Sequence, residues 1–281
     1  MEIVKSKEQM KAISRGFKKE GYRIGFVPTM GYLHEGHLSL IRLAKCKSDR
    51  TVVSIFVNPL QFGPNEDFQA YPRDLERDIP LLEKEGVDIL FVPEVEDIYP
   101  ADYQTYVEVT HLSSGLCGAF RSGHFKGVAT ILLKLFNIVK PDLAVFGEKD
   151  YQQIRVVEQM VKDLDLDMEI LRHPIVREED GLAMSSRNTY LSSEERRSAL
   201  SLYQALKFVE RLILGGERDL TKIRELTKEY IESFPHTKVQ YVEIVHPHTL
   251  QSVEEIRGPV LVALAVFVGK TRLIDNKIID L

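Results

Sequence analysis

The sequence is poor in cysteine and has no long apolar run. Its 281 residues include two cysteines, Cys46 and Cys117, without Cys-x-x-Cys spacing, which argues against a disulfide framework or zinc site and predicts a reducing, cytoplasmic location. The longest apolar stretch, residues 260–268, is far shorter than the roughly 20 residues of a membrane helix. The first residues also lack the apolar segment of a signal peptide. We therefore expect no membrane insertion.

An excess of positive charge is also missing. The chain has 37 basic and 42 acidic residues, a net charge of −5, which gives no general affinity for nucleic acid or an anionic membrane. Any anionic ligand must therefore be bound by locally placed donors. With 44% hydrophobic and 28% charged residues, the composition is that of a globular protein with one large or two modest domains.

The familiar phosphate and zinc motifs are absent as well. The sequence contains no GxxxxGK[ST] loop, and its first predicted strand does not lead into GxGxxG. The histidine pair at residues 34–37 has the order His-Glu-Gly-His, which lacks the HExxH spacing of metalloproteases. A phosphate site in this chain must therefore be of another kind.

Short apolar runs alternate with amphipathic stretches over the first 175 residues, as in βαβ units. This pattern predicts a doubly wound, largely parallel sheet. The predicted strands are residues 22–27, 51–57, 88–92, 142–146 and 168–171. The predicted helices are residues 38–45, 73–84, 128–139 and 151–164.

The pattern changes after Val176. Two highly charged helices are predicted at residues 194–214 and 220–234, and strands at 239–245, 260–268 and 272–275. We therefore expect an α/β protein in two parts. Residues 1–175 would form a Rossmann-like parallel-sheet domain that binds the ligands, and residues 176–281 a second, smaller α+β domain that closes over the active-site cleft.

The most informative segment, residues 28–37, follows the first predicted strand and opens the next helix. In open parallel sheets, ligands lie outside the carboxyl ends of the strands, and helix N-termini offer free N–H groups to phosphate. His34 and His37 are three residues apart, so they share one face of a helical turn and can point together at an anion. The pair is also compatible with ordinary surface histidines or with a metal site.

His34-Glu35-Gly36-His37 resembles the HxGH signature of nucleotidylyltransferases and class I tRNA synthetases. Three further segments, residues 57–63, 146–153 and 184–188, occur in order behind it. Together the four segments resemble the pantothenate synthetase family, over about residues 28–191 and more weakly to the C-terminus. Residues 184–187 look like the counterpart of the mobile KMSKS loop of the synthetases.

This resemblance implies an ATP-dependent ligase. The pantoate carboxylate would attack the α-phosphate of ATP to give pantoyl adenylate and pyrophosphate, and β-alanine would displace AMP to give pantothenate. It also implies Mg²⁺ as cofactor and a homodimer, with no nucleic-acid partner. Two rival functions are a nucleotidylyltransferase that stops at adenylyl transfer and a non-catalytic nucleotide sensor.

The resemblance also assigns roles to residues. The catalytic residues would be His37, as proton donor, together with His34 and Lys149. Gln61 and Gln153 would bind pantoate, and Gln61 with Asn58 would meet β-alanine. The ATP-binding residues would be Met30, Gly31, Tyr32, Leu33, His34, Glu35, Gly36, His37, Gly147, Glu148, Lys149, Asp150, Val176, Met184, Ser185, Ser186 and Arg187.

Several assignments stay open on the sequence. Asp150 is compatible with a ribose or a metal contact, so the metal ligands are left unassigned. Asp74 and Asp78 are compatible with Mg²⁺ binding, although a solvated helix face is the favoured interpretation.

The turn residues and isolated aromatics at 63–73 predict a lid. Basic residues in 121–127 indicate an anion contact, with His124 structural. The expected apolar walls for pantoate are Pro28, Met30, Phe62, Ile131 and Leu132.

Overall fold

The chain forms two sheets with helices packed around them. The structure, a computed structural model, describes residues 1–64 and 66–281. The strands are β1 Glu2–Val4, β2 Ile24–Thr29, β3 Arg50–Ile55, β4 Ile89–Phe91, β5 Leu143–Gly147, β6 Glu169–His173, β7 Thr237–Val245, β8 Val260–Val268 and β9 Thr271–Ile279. The helices are α1 Lys7–Lys19, α2 Glu35–Lys47, α3 Leu75–Lys84, α4 Val95–Ile98, α5 Cys117–Phe120, α6 His124–Val139, α7 Tyr151–Asp163, α8 Ser193–Leu214 and α9 Leu220–Glu232. None of these helices is both long and apolar enough to cross a bilayer.

The first sheet has the strand order β1-β4-β3-β2-β5-β6, and all its pairings are parallel. From β2 the chain adds strands on one side, and from β5 it adds them on the other. The carboxyl ends of β2 and β5 therefore flank the point where the winding reverses, which is where open α/β sheets bind ligands.

The second sheet is antiparallel, with the order β7-β8-β9. Its central strand β8 is buried on both faces, and its side chains alternate between two cores as strand geometry requires. Leu261, Ala263 and Ala265 join the core of the parallel-sheet part, while Val262 and Leu264 pack with α8 and α9. The predicted fold class, a Rossmann-like parallel sheet followed by a smaller α+β part, is confirmed.

The first 21 residues hold two elements that the sequence pattern did not predict. The edge strand β1 is only three residues long and gives no readable alternation. Helix α1 does carry a signal, since Ser6 caps it by accepting from the N–H of Gln9, and Met10 is buried. The last strand, predicted at 272–275, extends over Thr271–Ile279 because it pairs with the whole of β8.

Candidate active site

A cleft of about 230 Å³ opens at the point where the winding of the parallel sheet reverses. It is bounded by the ends of β2 and β5, by helix α6 and by the loop before residue 188. Most of the predicted site residues line it: Met30, His34, Gly36, His37, Asn58, Gln61, Gly147, Lys149, Asp150, Gln153, Val176, Met184, Ser185, Ser186 and Arg187. Chain topology therefore brings together segments that are up to about 150 residues apart in sequence.

Five residues predicted to bind ATP do not line this cleft: Gly31, Tyr32, Leu33, Glu35 and Glu148. Tyr32 and Leu33 instead border a neighbouring cavity of about 300 Å³ that also reaches His34. Glu35 is exposed and pairs with Arg42 on the outside of α2. The neighbouring cavity shares His34, Met184, Ser185 and Ser186 with the cleft, and the predicted ATP contacts of these five residues stay predictions.

His34 and His37 lie side by side at the start of α2. Their ring centroids are 4.1 Å apart, and the backbone N–H of His34 donates to Nδ1 of His37 over 3.3 Å. Nδ1 of His34 is buried and has no hydrogen-bond partner among the described residues. This nitrogen lies against the backbone at Gly36, where a Cβ would come within 2.9 Å of it.

Both imidazoles are neutral near pH 7. Burial, together with the nearby Lys149 ammonium, lowers the pKa of His34 to about 4. Burial and the neighbouring His34 hold the pKa of His37 well below its usual value. Since Nδ1 of His37 accepts a hydrogen bond, its proton is on Nε2. His37 therefore offers an Nε2–H donor without a permanent positive charge.

Asp78 of α3 holds the turn that carries these histidines. Its side chain is 1% exposed, and its two carboxylate oxygens accept from the backbone N–H groups of Tyr32 and Leu33 over 2.7 and 2.8 Å. Tyr32 has a positive φ of 50°, a conformation that is costly for a residue with a side chain and needs such support. The expectation that Asp78 lies on a solvated helix face is therefore wrong, and its oxygens are already used.

Asp74, four residues before Asp78, caps helix α3. Its carboxylate accepts a hydrogen bond from the backbone N–H of Arg77 over 3.0 Å. This cap is why α3 begins at Leu75 rather than at residue 73, where the sequence pattern placed its start.

Gly36 lets the two histidines approach each other. A Cβ at this position would lie 2.9 Å from both Cε1 and Nδ1 of His34, which is closer than real side chains come. The glycine in the His-x-Gly-His pattern is thus required by the position of the first imidazole.

Lys149 approaches the cleft from the other side of the reversal point. It lies in a 3₁₀ turn, Glu148–Asp150, directly after β5. Its ammonium is 3.5 Å from the Asp150 carboxylate, and its side chain is 21% exposed. Lys149 lines the same cleft as His34 and His37, and its charge lowers the pKa of both.

The loop at residues 184–187 is tied to both sides of the cleft. Ser186 Oγ donates to the backbone oxygen of Tyr32 over 3.1 Å, and Ser185 Oγ accepts from the N–H of Arg187 over 3.3 Å. The Arg187 guanidinium forms two bonds with the Asp67 carboxylate, at 2.8 and 2.9 Å. The predicted phosphate-binding arginine is thus held by a carboxylate from the 63–73 segment.

Asn58 is fully engaged and orients Gln61. Its Oδ1 accepts from the N–H of Leu60 and from the hydroxyl of Tyr99, and its Nδ2 donates to Gly127 O and to Gln61 Oε1. The backbone partners set which way the Asn58 amide faces. Gln61 must therefore present Oε1 to Asn58, which leaves its Nε2 donor at the cleft, 3.1 Å from the Met30 sulfur.

The neighbouring glutamines at the start of α7 have opposite environments. Gln152 is buried, and its amide accepts from the N–H of Cys117 and donates to Leu112 O and Gly115 O. Gln153 lines the cleft and makes no side-chain hydrogen bond with any other described residue. Only Gln153 is therefore available to a ligand, as the sequence analysis predicted.

Arg121 and His124 also line the cleft. Arg121 donates to both carboxylate oxygens of Glu66 and to Nε2 of His124, so the proton of His124 is on Nδ1, which donates to Gln61 O over 2.8 Å. Burial, with the nearby Arg121 charge, lowers the pKa of His124 to about 4. The structural role expected of His124 agrees with these contacts, whereas the anion partner of Arg121 is a protein carboxylate.

The apolar wall is larger than predicted. Pro28, Met30, Ile131 and Leu132 line the cleft as expected, and Leu40, Phe56, Val128, Leu135, Val145 and Phe146 join them. Phe62 is not among the lining residues; it packs against Phe68 and Tyr71, at 5.4 and 6.0 Å between ring centroids. Its predicted place in the pantoate wall is therefore not supported by its contacts.

An open parallel sheet with these phosphate-suited donors at its reversal point defines the class of the protein: a Rossmann-like nucleotide-binding enzyme. The family model described as pantoate-beta-alanine ligase matches residues 2–278, so the chain belongs to that family. It is a ligase that forms pantothenate, as the four sequence segments implied.

Individual relatives agree with this result. The chain is 57% identical over 280 residues to pantothenate synthetase of Caldicellulosiruptor bescii, covering 100% of this chain and 99% of that protein. It is 59% identical over 279 residues to the enzyme of Thermotoga petrophila, covering 99% of this chain and 100% of that protein.

Solved structures show the same fold. The pantothenate synthetase of Thermus thermophilus matches with a TM-score of 0.92 and 44% identity over 99% of both chains. The pantoate-beta-alanine ligase of Francisella tularensis, complexed with beta-gamma ATP and beta-alanine, matches with a TM-score of 0.83 and 38% identity, covering 99% of this chain and 97% of that chain.

Proposed function

We propose that the cleft at the reversal point carries out both half-reactions of pantothenate formation through a bound pantoyl adenylate. The observation that carries this proposal is the convergence of two neutral histidines, Lys149 and the 184–187 loop on one cleft with an apolar wall. Phosphate donors and an apolar wall in the same cleft suit a nucleotide and a small branched acid bound side by side.

In the first step, the pantoate carboxylate attacks the α-phosphate and pyrophosphate leaves. Negative charge grows on the phosphate oxygens in this step, and fixed donors that meet it lower the barrier. We assign this task to Nε2–H of His37, the Lys149 ammonium and the hydroxyl of Ser185. Arg187 would exchange the Asp67 carboxylate for phosphate oxygens, which are also suited to bidentate pairing.

Pantoate is oriented by the two free amides. Nε2 of Gln61 and the amide of Gln153 would bind its hydroxyl and carboxylate oxygens, while the wall with Ile131 and Leu132 would take its methyl groups. Neutral amides hold the acid without strongly stabilising its carboxylate, which must remain nucleophilic. Because Asn58 has no hydrogen-bonding capacity left, we propose that it serves β-alanine through Gln61.

In the second step, the β-alanine amine attacks the acyl carbon. The carbon–oxygen bond to AMP breaks, AMP leaves as the anion, and the amine loses a proton. We propose that His34 helps to place the adenylate in this step, because its ring lies beside His37 and lines the cleft.

Residues 63–73 are proposed to act as the lid that protects the adenylate from water. Asn65 lies outside the described residues. Glu66 and Asp67 pair with Arg121 and Arg187, two cations that line the cleft, so ligand binding and the position of this segment are coupled. ATP with pantoate is therefore expected to slow protease cleavage within the segment; unchanged cleavage would rule out the lid.

Mg²⁺ is proposed to enter with ATP. Among the described residues, no three His, Cys, Asp or Glu side chains lie together as a metal site. The one carboxylate among the lining residues is Asp150, whose side chain is 49% exposed. This donor set fits an ion carried mainly by phosphate oxygens, with Asp150 as its protein ligand. When bound, the ion would neutralise charge on the phosphates.

Three further features are proposed. A division near residues 175–176 is supported by the two separate sheets, which end and begin on either side of it. A cytoplasmic location is supported by the thiols of Cys46 and Cys117, which are both free. A homodimer rests on the family resemblance alone, and sedimentation analysis would test it.

Product analysis tests the proposed reaction. The protein is mixed with ATP, Mg²⁺ and pantoate, with and without β-alanine, and the products are separated by chromatography. AMP and pantothenate should accumulate together only when β-alanine is present. Pyrophosphate without AMP, with some other acceptor, would instead indicate simple nucleotidylyl transfer.

A further inference from the structure

Asp275 and Asn276 are neighbouring polar residues of β9. Both are buried, and the proposed reaction assigns no role to either. Their exposed fractions are 2% and 7%. Burying an amide and a carboxylate costs free energy unless each finds partners. Both find their partners in the segments that carry the proposed phosphate-binding residues.

Asn276 holds the Lys149 turn. Its Nδ2 donates to the backbone oxygens of Glu148 and Lys149, over 3.0 and 2.9 Å. One side chain of the antiparallel sheet therefore fixes two successive carbonyl groups of the 3₁₀ turn after β5. Because a lysine side chain starts from the backbone that these bonds fix, the position of its ammonium depends on them.

Asp275 holds the base of the 184–187 loop. Its carboxylate forms two bonds with the Arg177 guanidinium, at 2.6 and 2.9 Å, and Arg177 also donates to Gly181 O over 3.0 Å. Arg177 pairs with Ala183 in a short antiparallel bridge, and the next residue begins the loop. The same point of β9 thus anchors both segments.

We propose that Asn276 is a positioning residue for Lys149, and Asp275 for the 184–187 loop, so that the antiparallel sheet sets the geometry of adenylate formation. This inference rests on the proposed function of the cleft. Neither residue is among those that line the cleft; each acts through the segment that it holds. Displacement of a catalytic group by about 1 Å can cost up to ~10²-fold in rate.

Asn276→Asp is the sharpest test, because it keeps the shape and replaces the donor with an oxygen that faces two carbonyls. The two half-reactions are measured separately: pyrophosphate release in a single turnover, and conversion of supplied pantoyl adenylate by β-alanine. Adenylate formation should fall ~10-fold or more, while conversion of supplied adenylate changes less than threefold. Equal losses in both, or none, would overturn the role of Asn276.

A matched control separates positioning from stability. Thr227 of α9 is fully buried, and its hydroxyl donates to Ile223 O over 2.6 Å without touching either segment. Thr227→Val should lower the unfolding temperature but leave the ratio of the two half-reactions unchanged. If it shifts that ratio as Asn276→Asp does, the effect is only structural. If Asn276→Asp fails to fold, Asn276→Ala removes the donors without adding a repelling oxygen.

A double variant tests whether Asn276 acts through Lys149. In a Lys149→Ala background, Asn276→Asp should slow adenylate formation by less than ~2-fold, because the group it positions is gone. A full additional ~10-fold loss would overturn the proposal. Wild-type product analysis distinguishes this outcome from failure of the proposed function, since only the latter leaves the wild type without pantothenate.

The positioning role of Asp275 is tested by measuring the KM for ATP. Asp275→Asn should raise the KM for ATP more than the KM for pantoate, because the loop it anchors faces the nucleotide. If that variant fails to fold, Arg177→Lys breaks the bidentate pair from the other side. A folded variant with unchanged KM for ATP would remove Asp275 from the proposal.

Discussion

The turn after β2 and the turn after β5 meet at the same edge of the parallel sheet, yet they are supported differently. The first, residues 30–37, is held by Asp78 of α3, a helix that packs on the parallel sheet itself. The second, Glu148–Asp150, is held by Asn276 of the antiparallel sheet. The parallel sheet thus brings the proposed catalytic groups together, whereas buried polar side chains from other elements support the turns that carry them.

The largest effect is expected when one catalytic group is removed from each turn. His37→Ala and Lys149→Ala should each slow adenylate formation by ~10² or more, because each removes a donor to charge that grows in the transition state. Single-turnover pyrophosphate release measures this, with circular dichroism as the control for folding. An unchanged rate in one variant would mean that only the other turn acts in the chemical step.

A smaller loss is expected when only the support of the first turn changes. Asp78→Asn leaves at least one of the Tyr32 and Leu33 N–H groups unpaired, which should lower the free energy of unfolding by about 1–3 kcal/mol. Adenylate formation should also slow, because His34 and His37 follow this turn. Asp74→Asn is the control on the same helix, since asparagine also caps helices and should be nearly neutral. Equal behaviour of the two variants in denaturant titration would contradict the support role.

The two glutamines behind the second turn should respond in opposite ways. Gln153→Ala should raise the KM for pantoate several-fold and leave the KM for ATP nearly unchanged, because it removes a free amide from the cleft. Gln152→Ala should mainly lower stability, since it leaves the buried N–H of Cys117 and the buried carbonyl of Leu112 unpaired. Steady-state kinetics and thermal unfolding distinguish them; equal rises in both KM values for Gln153→Ala would refute its orienting role.

The smallest effect is the pH dependence of stability that His34 of the first turn contributes. The pKa of His34 is about 4 in the folded chain, against an unfolded value near 6.5. Between these values the unfolded state binds a proton that the folded state does not, so stability is full above pH ~6.5 and falls as the pH drops towards 4. Comparing wild type with His34→Gln by chemical denaturation isolates this contribution. A difference between the two proteins that stays constant over that range would show that the His34 pKa is not lowered.

Sequence patterns were a good guide to elements and a poor guide to contacts. Period and turn residues predicted the parallel strands β2 to β6, the charged helices and the antiparallel end of the chain, because local chain geometry encodes them. They missed β1, in which only Val4 is buried, whereas the equally short β4 is buried throughout. They also missed Asp78 and Asn276 as supports, because a buried hydrogen bond between distant segments leaves no local pattern.

The sequence by itself determined the candidates for the chemistry: the histidine pair with its glycine, Lys149 and the serine-arginine loop are recognisable as short motifs at strand ends. Only the tertiary structure decided that the amide of Gln152 is taken up by backbone partners, which amide atom Gln61 presents, and that the histidines are neutral. Those properties depend on burial and on the orientation of groups far apart in sequence. They arise from the packed fold rather than from any segment alone.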